Sequence, residues 1–254
     1  MTTYHTARVE GLDVFYRQAG DPSKPKLLLL GGFPASSHQF RNLIPALADN
    51  FYVLSPDYPG FGNTDMPDPA TWDYTFDHLA AIVDGLLAQV GFTGPMAAAW
   101  DGIRHALWVD RSAATEAPLE GFLQPETVKA IYTTGHPDLS KISPDNWNTD
   151  LFFLSRPHAH RVQLDLFYDY RTNAALYPTW QQSLRERQPK TLIFWGQGDI
   201  FFTPAGGEAY LRDLPDAELV RLNSGHFAVE TTFSRSPTGS RCSTTPASAP
   251  PSTR

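Results

Sequence analysis

The chain has 254 residues, 41% of them hydrophobic and 19% charged, enough for one globular domain with a sizeable core or a domain plus a cap. Its net charge of −7 is spread over scattered acidic groups, which argues for solubility and against a nucleic-acid partner. The single cysteine, Cys242, excludes a disulfide framework and a cysteine-based metal site, and no apolar run approaches the length of a membrane span. The opening residues, MTTYHTARVEG, lack the basic-then-apolar layout of a secretion signal. The expectation is a cytoplasmic protein without a membrane partner.

Tyr4 to Val9 and Leu12 to Gln18 alternate about Gly11 and predict an antiparallel hairpin. Leu27 to Leu30 is a continuous apolar run, the pattern of a strand buried on both faces of a parallel sheet. Gly31, Gly32 and Pro34 then break the strand and leave backbone N–H groups free in a loop. Phe40, Leu43, Ile44 and Leu47 fall on one face of a helix. Phe51 to Leu54 reads as the next strand, running into Ser55-Pro56-Asp57 and a second loop with Gly60 and Gly62. A strand–helix–strand unit of this size predicts an α/β sheet whose loops at the carboxyl ends of the strands hold the site. A helix is predicted from about Asp77 to Val90, with Leu79, Ile82, Val83, Leu86, Leu87 and Val90 on its apolar face and Gly91 as its stop.

The segments GGFPASSHQFRNLIPALA and PDYPGFGNTDMP resemble the α/β-hydrolase fold, in the branch of epoxide hydrolases and haloalkane dehalogenases. The resemblance implies that the Gly32-Phe33 loop supplies an oxyanion donor, Phe33 matching the donor position. Gly31 stands where that branch usually has a histidine. It also implies a nucleophile elbow, a tight G-x-Nuc-x-G turn after a buried strand. Here the pattern fails: Gly94-Pro95 is followed by MAAAWDGIRHALWVDRSAA, with no β-branched strand and no G-x-D-x-G. Two readings stand. In one, Asp101 is a degenerate nucleophile, near the spacing from Pro95 at which the family places its Asp and followed by Gly102. In the other, the elbow strand, its helix and a further strand are missing, Met96 onward is already cap, and Asp101 is a solvated helix carboxylate. The helical pattern of Trp100 to Asp110 favours the second.

Ala113 to about Gln188 resembles the helical cap of such enzymes. Its aromatic stretch, Val162 to Gln181, holds Tyr170 and Tyr177, the positions implied for hydroxyls that would bind and protonate an epoxide oxygen, with Tyr132 a third. Arg156, Asp165, Asp169 and Arg171 read equally well as charges pairing to hold the cap. Lys190 to Trp195 predicts a buried strand, and the Gly196-Gln-Gly-Asp199 loop after it matches the family's triad acid. Leu219 to Leu222 predicts the last strand, leading to Asn223-Ser-Gly-His226, where the family carries its catalytic histidine. A buried carboxylate there would fix the imidazole tautomer, and the imidazole would activate water. Ser234 to Arg254 has no Leu, Ile, Val, Met or Phe and reads as a disordered tail.

The expected architecture is an α/β-hydrolase fold with a mostly parallel, incomplete central sheet and a helical cap. Residues 1–95 and 189–231 would form the core, 96–188 the cap and 232–254 the tail. The inherited chemistry would be hydrolysis of a small apolar, epoxide-type substrate through an Asp ester. A haloalkane dehalogenase-like enzyme and a non-catalytic ligand-binding fold are the alternatives. No metal or cofactor is implied, since the eight histidines include no HExxH-type spacing. His158 and His160, two apart in a Pro-containing loop, carry little information. Without an elbow the chain is expected to be inactive, and its oligomeric state is left open.

Overall fold

A computed structural model of the chain describes residues 1–92 and 111–232. These fall into two compact units, one of Met1–Lys129 with Pro144–Ala174, the other of Ala130–Ser143 with the chain from Ala175 onward.

The first unit opens as its alternation predicts. Strands β1 (Thr3–Val9) and β2 (Leu12–Ala19) form an antiparallel hairpin, turned at Gly11 with φ +82°. Strand β3 (Lys26–Leu28) pairs parallel with β4 (Tyr52–Pro56), and β4 pairs antiparallel with β2, so the mixed sheet has the order β1-β2-β4-β3. Every residue of β4 is buried. The Leu27–Leu30 run does not behave as expected: only Leu27 and Leu28 are in β3, and all four leucines are partly exposed. The physical reason is position, because β3 ends the sheet and no described strand lies on its far side.

The helix expected across Phe40–Leu47 is split into a 3-10 turn, Ser37–Phe40, and a short α1 (Leu43–Leu47). Ser36 opens the turn by accepting the His38 N–H, and Pro45 falls in the first turn of α1, where its missing donor costs nothing. Helix α2 (Phe76–Gln89) starts at Thr75, whose hydroxyl accepts the His78 N–H at 3.1 Å, and stops before Gly91 at φ +68°. Its Ile82, Val83, Leu86 and Leu87 pack with Val9, Val14, Tyr16 and Leu54 in one buried core. Burial of each such side chain is worth about 1.5–3 kcal/mol.

Helices α3 (Ala113–Glu120), α4 (Pro125–Thr133), α5 (Asp145–Leu154), α6 (Ala159–Asp169) and α7 (Arg171–Arg187) follow, α4 and α7 each running from one unit into the other. In the first unit Leu123, Val128 and Leu154 gather against Phe33, as do Leu164 and Phe167. The four charges read as mutual pairs find other partners. Asp165 pairs with Arg111 and, at 3.0 Å, with Arg161; Arg156 donates to the Gly60 carbonyl at 3.0 Å. Asp169 accepts the Phe76 N–H at 2.7 Å, and the Arg171 guanidinium lies 3.7 Å over the Tyr168 ring.

The second unit holds strand β5 (Leu192–Gly196), helix α8 (Pro204–Asp213), strand β6 (Glu218–Leu222) and the short helix α9 (Ala228–Thr232). β5 and β6 form a parallel two-stranded sheet. β5 was expected to be buried, yet Leu192 is 52% and Phe194 43% exposed. Among the described residues β6 is its only strand partner, so one edge and part of one face stay uncovered. No described helix is long and apolar enough to cross a membrane.

Candidate active site

In the second unit the turn after β5 and the turn after β6 meet. Gln197 and Gly198 donate backbone hydrogen bonds, each of 2.9 Å, to the carbonyls of Leu222 and Ser224. Trp195 Nε1 ties the end of β5 to the Phe202 carbonyl at 2.8 Å. This frame brings together the two residues that the sequence set 27 positions apart: His226 Nδ1 lies 3.0 Å from Asp199 Oδ2. The other oxygen, Oδ1, accepts the N–H groups of Phe201 at 2.8 Å and Phe202 at 3.0 Å. The Asp199 side chain is 7% exposed and that of His226 18%.

Burial by itself would raise the Asp199 carboxyl, but the His226 hydrogen bond, the two backbone donors and the imidazolium charge outweigh it and hold it below the ordinary carboxylate range. A carboxylate held in this way by one oxygen and facing Nδ1 with the other leaves Nε2 as the nitrogen open to a substrate or water. The His226 ring is packed by Phe202, face on at 5.3 Å, and by Phe201 and Phe227, edge on.

The loop carrying Gly32 and Phe33 belongs to the first unit. Phe33 precedes a cis peptide bond to Pro34, its ring packs 4.8 Å from that of Phe167, and its N–H donates to no group among the described residues. Behind the loop is a buried polar cluster that sequence reasoning missed. Arg17 Nε donates to Ser37 Oγ at 3.0 Å, while Asp57 accepts the Ser37 N–H at 2.7 Å and the Asn63 N–H at 2.8 Å. Asp57 is 2% exposed, and burial pushes its carboxyl up while these donors and Arg17 pull it back. At Gly62, φ is +47° and an added Cβ would lie 2.0 Å from Asp57 Oδ2, so only glycine fits there. The available signal was an Asp directly after a buried strand and before a glycine-rich loop.

The three tyrosines expected in a cap do not share one environment. Tyr170 is 6% exposed in the first unit, its ring edge-on to Phe76, whereas Tyr177 lies in the second, edge-on to Trp180. Tyr132 is 1% exposed and stacks face to face with Phe227 at 4.0 Å, one residue from His226. Asp101 lies outside the described residues, as does the whole stretch in which an elbow would fall. A separate cavity of about 730 Å³ in the first unit is lined by Trp72, Tyr74, His158, Arg161, Tyr168 and Arg171, among others, and contains none of these site residues. No group of described side chains has the composition of a metal site.

The sequence pattern of the α/β-hydrolase fold family matches residues 25–100. An uncharacterized hydrolase of Saccharomyces cerevisiae is 33% identical, over 90% of this chain and 92% of its own length. That alignment spans 269 positions, more than the 254 residues of this chain, so the yeast protein carries residues without a counterpart here. Epoxide hydrolase A of Mycobacterium tuberculosis is 41% identical over 29% of this chain and 23% of its own. Among solved structures, the haloalkane dehalogenase DbeA of Bradyrhizobium elkani superposes with a TM-score of 0.65 at 18% identity, over 91% of this chain and 94% of that one, which bears on the fold. The chain belongs to the α/β-hydrolase family.

Proposed function

We propose that Asp199 and His226 are the acid–base pair of an inherited hydrolase chemistry, in which a small apolar substrate of the epoxide type is opened through an ester on an aspartate. The observation that carries this reading is the 3.0 Å contact from His226 Nδ1 to a carboxylate whose other oxygen is held by two backbone donors. In that chemistry an Asp carboxylate attacks an epoxide carbon, the C–O bond breaks, and a cap tyrosine protonates the alkoxide. His226 Nε2 then takes a proton from water, and the hydroxide attacks the ester carbonyl. The resulting oxyanion is stabilised by a backbone N–H, the role expected of Phe33; collapse passes the new carboxyl's proton to the departing oxygen, freeing the diol and the Asp carboxylate, and the proton on His226 returns to the tyrosinate. Asp199 holds the tautomer and stabilises the imidazolium. The helices of 96–188 serve as the cap, with Tyr170, Tyr177 and Tyr132 the candidate proton donors.

The same reading predicts no turnover by the chain as it stands. Asp101 has no glycine two positions before it, where the family's tight turn calls for one. The extra residues of the yeast relative support a segment missing from this chain. The test is mass spectrometry of His226→Gln after brief exposure to styrene oxide, since removing the base traps any ester. No adduct, on a chain folded by circular dichroism, is the expected result. An adduct at Asp101, with turnover by the unmodified chain that vanishes in Asp101→Asn, overturns the inactivity and makes this a working enzyme.

A further inference from the structure

The turn after α4, Thr134-Gly135-His136, lies in sequence within the helical region, some sixty residues before Asp199. In space it belongs to the same unit as Asp199 and His226 and is set against both loops that carry them. Gly135, at φ +78°, faces Gly198 so closely that an added Cβ would lie 1.8 Å from the Gly198 carbonyl oxygen. The approach is mutual, since a Cβ at Gly198 would meet the Gly135 carbonyl at 2.2 Å. Gly225, directly before His226, faces the rest of the turn. A Cβ there would lie 2.2 Å from the Thr134 carbonyl, 2.8 Å from His136 Cδ2 and 3.0 Å from His136 Nε2. Three chain segments thus meet backbone to backbone through glycines, and the His136 ring closes the contact from one side.

His136 is itself unusual. It is 9% exposed, and neither ring nitrogen has a hydrogen-bond partner among the described residues; the same holds for the buried hydroxyl of Ser224 in the neighbouring loop. A buried imidazole without a partner is destabilising, so its packing against Gly225 is kept at the expense of stability. We propose that the Thr134-Gly135-His136 turn is the positioning device of the Asp199–His226 pair, and that His136 acts by the shape of its ring, seating the Gly225 backbone so that His226 faces Asp199. His136 makes no contact with substrate in this role and is a positioning residue.

The electrostatics agree. Burial disfavours a charge on His136, the Asp199 carboxylate opposes that, and the nearby His226 imidazolium adds to it, leaving His136 with a lowered proton affinity. Near neutral pH the His136 ring is uncharged.

The inference rests on Asp199 and His226 being a formed pair, and its test needs no nucleophile. The full chain, labelled with ¹⁵N-histidine, is examined by NMR for the downfield proton of His226 Nδ1–H hydrogen-bonded to Asp199, with His226→Gln as the blank. The resonance is expected in the unmodified chain, lost in Gly135→Ala and His136→Ala, and retained in His136→Phe, which keeps a ring on Gly225. Far-UV circular dichroism confirms that each variant is folded. Should Gly135→Ala unfold, the two His136 variants decide the matter. Persistence of the resonance in His136→Ala overturns the inference while leaving the pair intact; so does its loss in a folded His136→Phe. Its absence from the unmodified chain overturns the pair itself and the inference with it.

Discussion

Asp199 is the residue on which the site's pH behaviour turns. Its carboxylate, held low by His226 and two N–H groups, contributes stability that is complete above the ordinary carboxylate range and is lost as pH falls through its depressed value. Asp199→Asn is therefore expected to cost about 1.5–3 kcal/mol at neutral pH, the worth of hydrogen bonds to a charged group. The urea midpoint of the unmodified chain should fall more steeply with acid below about pH 4 than that of the variant. Asp57 makes a second case. Asp57→Ala removes the acceptor of the Ser37 and Asn63 N–H groups and leaves Arg17, 8% exposed, without the carboxylate that offsets its burial. A loss of about 1–3 kcal/mol for each buried donor left without its acceptor is expected in chemical denaturation. Both carboxylates were visible in the sequence. Asp199 was assigned a role because a family pattern pointed to it, but nothing local to Asp57 reveals that Arg17, forty positions earlier, would lie opposite it.

Among the elements, α2 and α7 contrast in anchorage. α2 buries Leu79, Ile82, Val83, Leu86 and Leu87 of the face that its spacing predicted, while Val90, the sixth, caps the helix and is only partly buried. Leu86 is fully buried, and Leu86→Ala is expected to cost about 2–5 kcal/mol, read from the thermal or urea transition. In α7 only Asn173 is buried, and Leu176 and Trp180 are 40% and 37% exposed. Its amides should exchange with deuterium well before those of α2, because local opening exposes little that was buried. Periodicity made α2 legible because one face of a surface helix repeats along the chain. Periodicity misjudged β3 and β5 for the complementary reason: an apolar run encodes that a strand prefers burial on both faces, and says nothing of whether neighbours exist to provide it.

At the scale of the whole molecule, the described chain presents apolar strand surface that members of this fold class normally bury. Leu192, Phe194, Ile200 and Phe201 are 40% exposed or more, beside a strand with one unpaired edge. Such edges template association with other chains, and native proteins blunt them with charge, lysine above all. Concentration-dependent association is therefore expected by light scattering, and the double variant Leu192→Lys, Phe194→Lys should reduce it severalfold. Equal scattering from both proteins would show that this surface is not what drives association.

The sequence by itself determined the family, the hairpin, the strand–helix–strand core, the acid loop and the histidine loop. Each of these is written in local signals: alternation, apolar runs, glycine punctuation and short motifs whose residues are neighbours in the chain. Only the tertiary structure decided which strands are edges, that Asp57 and Arg17 share one buried cluster, that Tyr132 stacks on Phe227 beside His226, and that the Gly135 turn is pressed against the loops of Asp199 and His226. Those facts depend on contacts between residues far apart in sequence, and such contacts are selected by the packing of the folded chain, which leaves no periodic trace in the order of its residues.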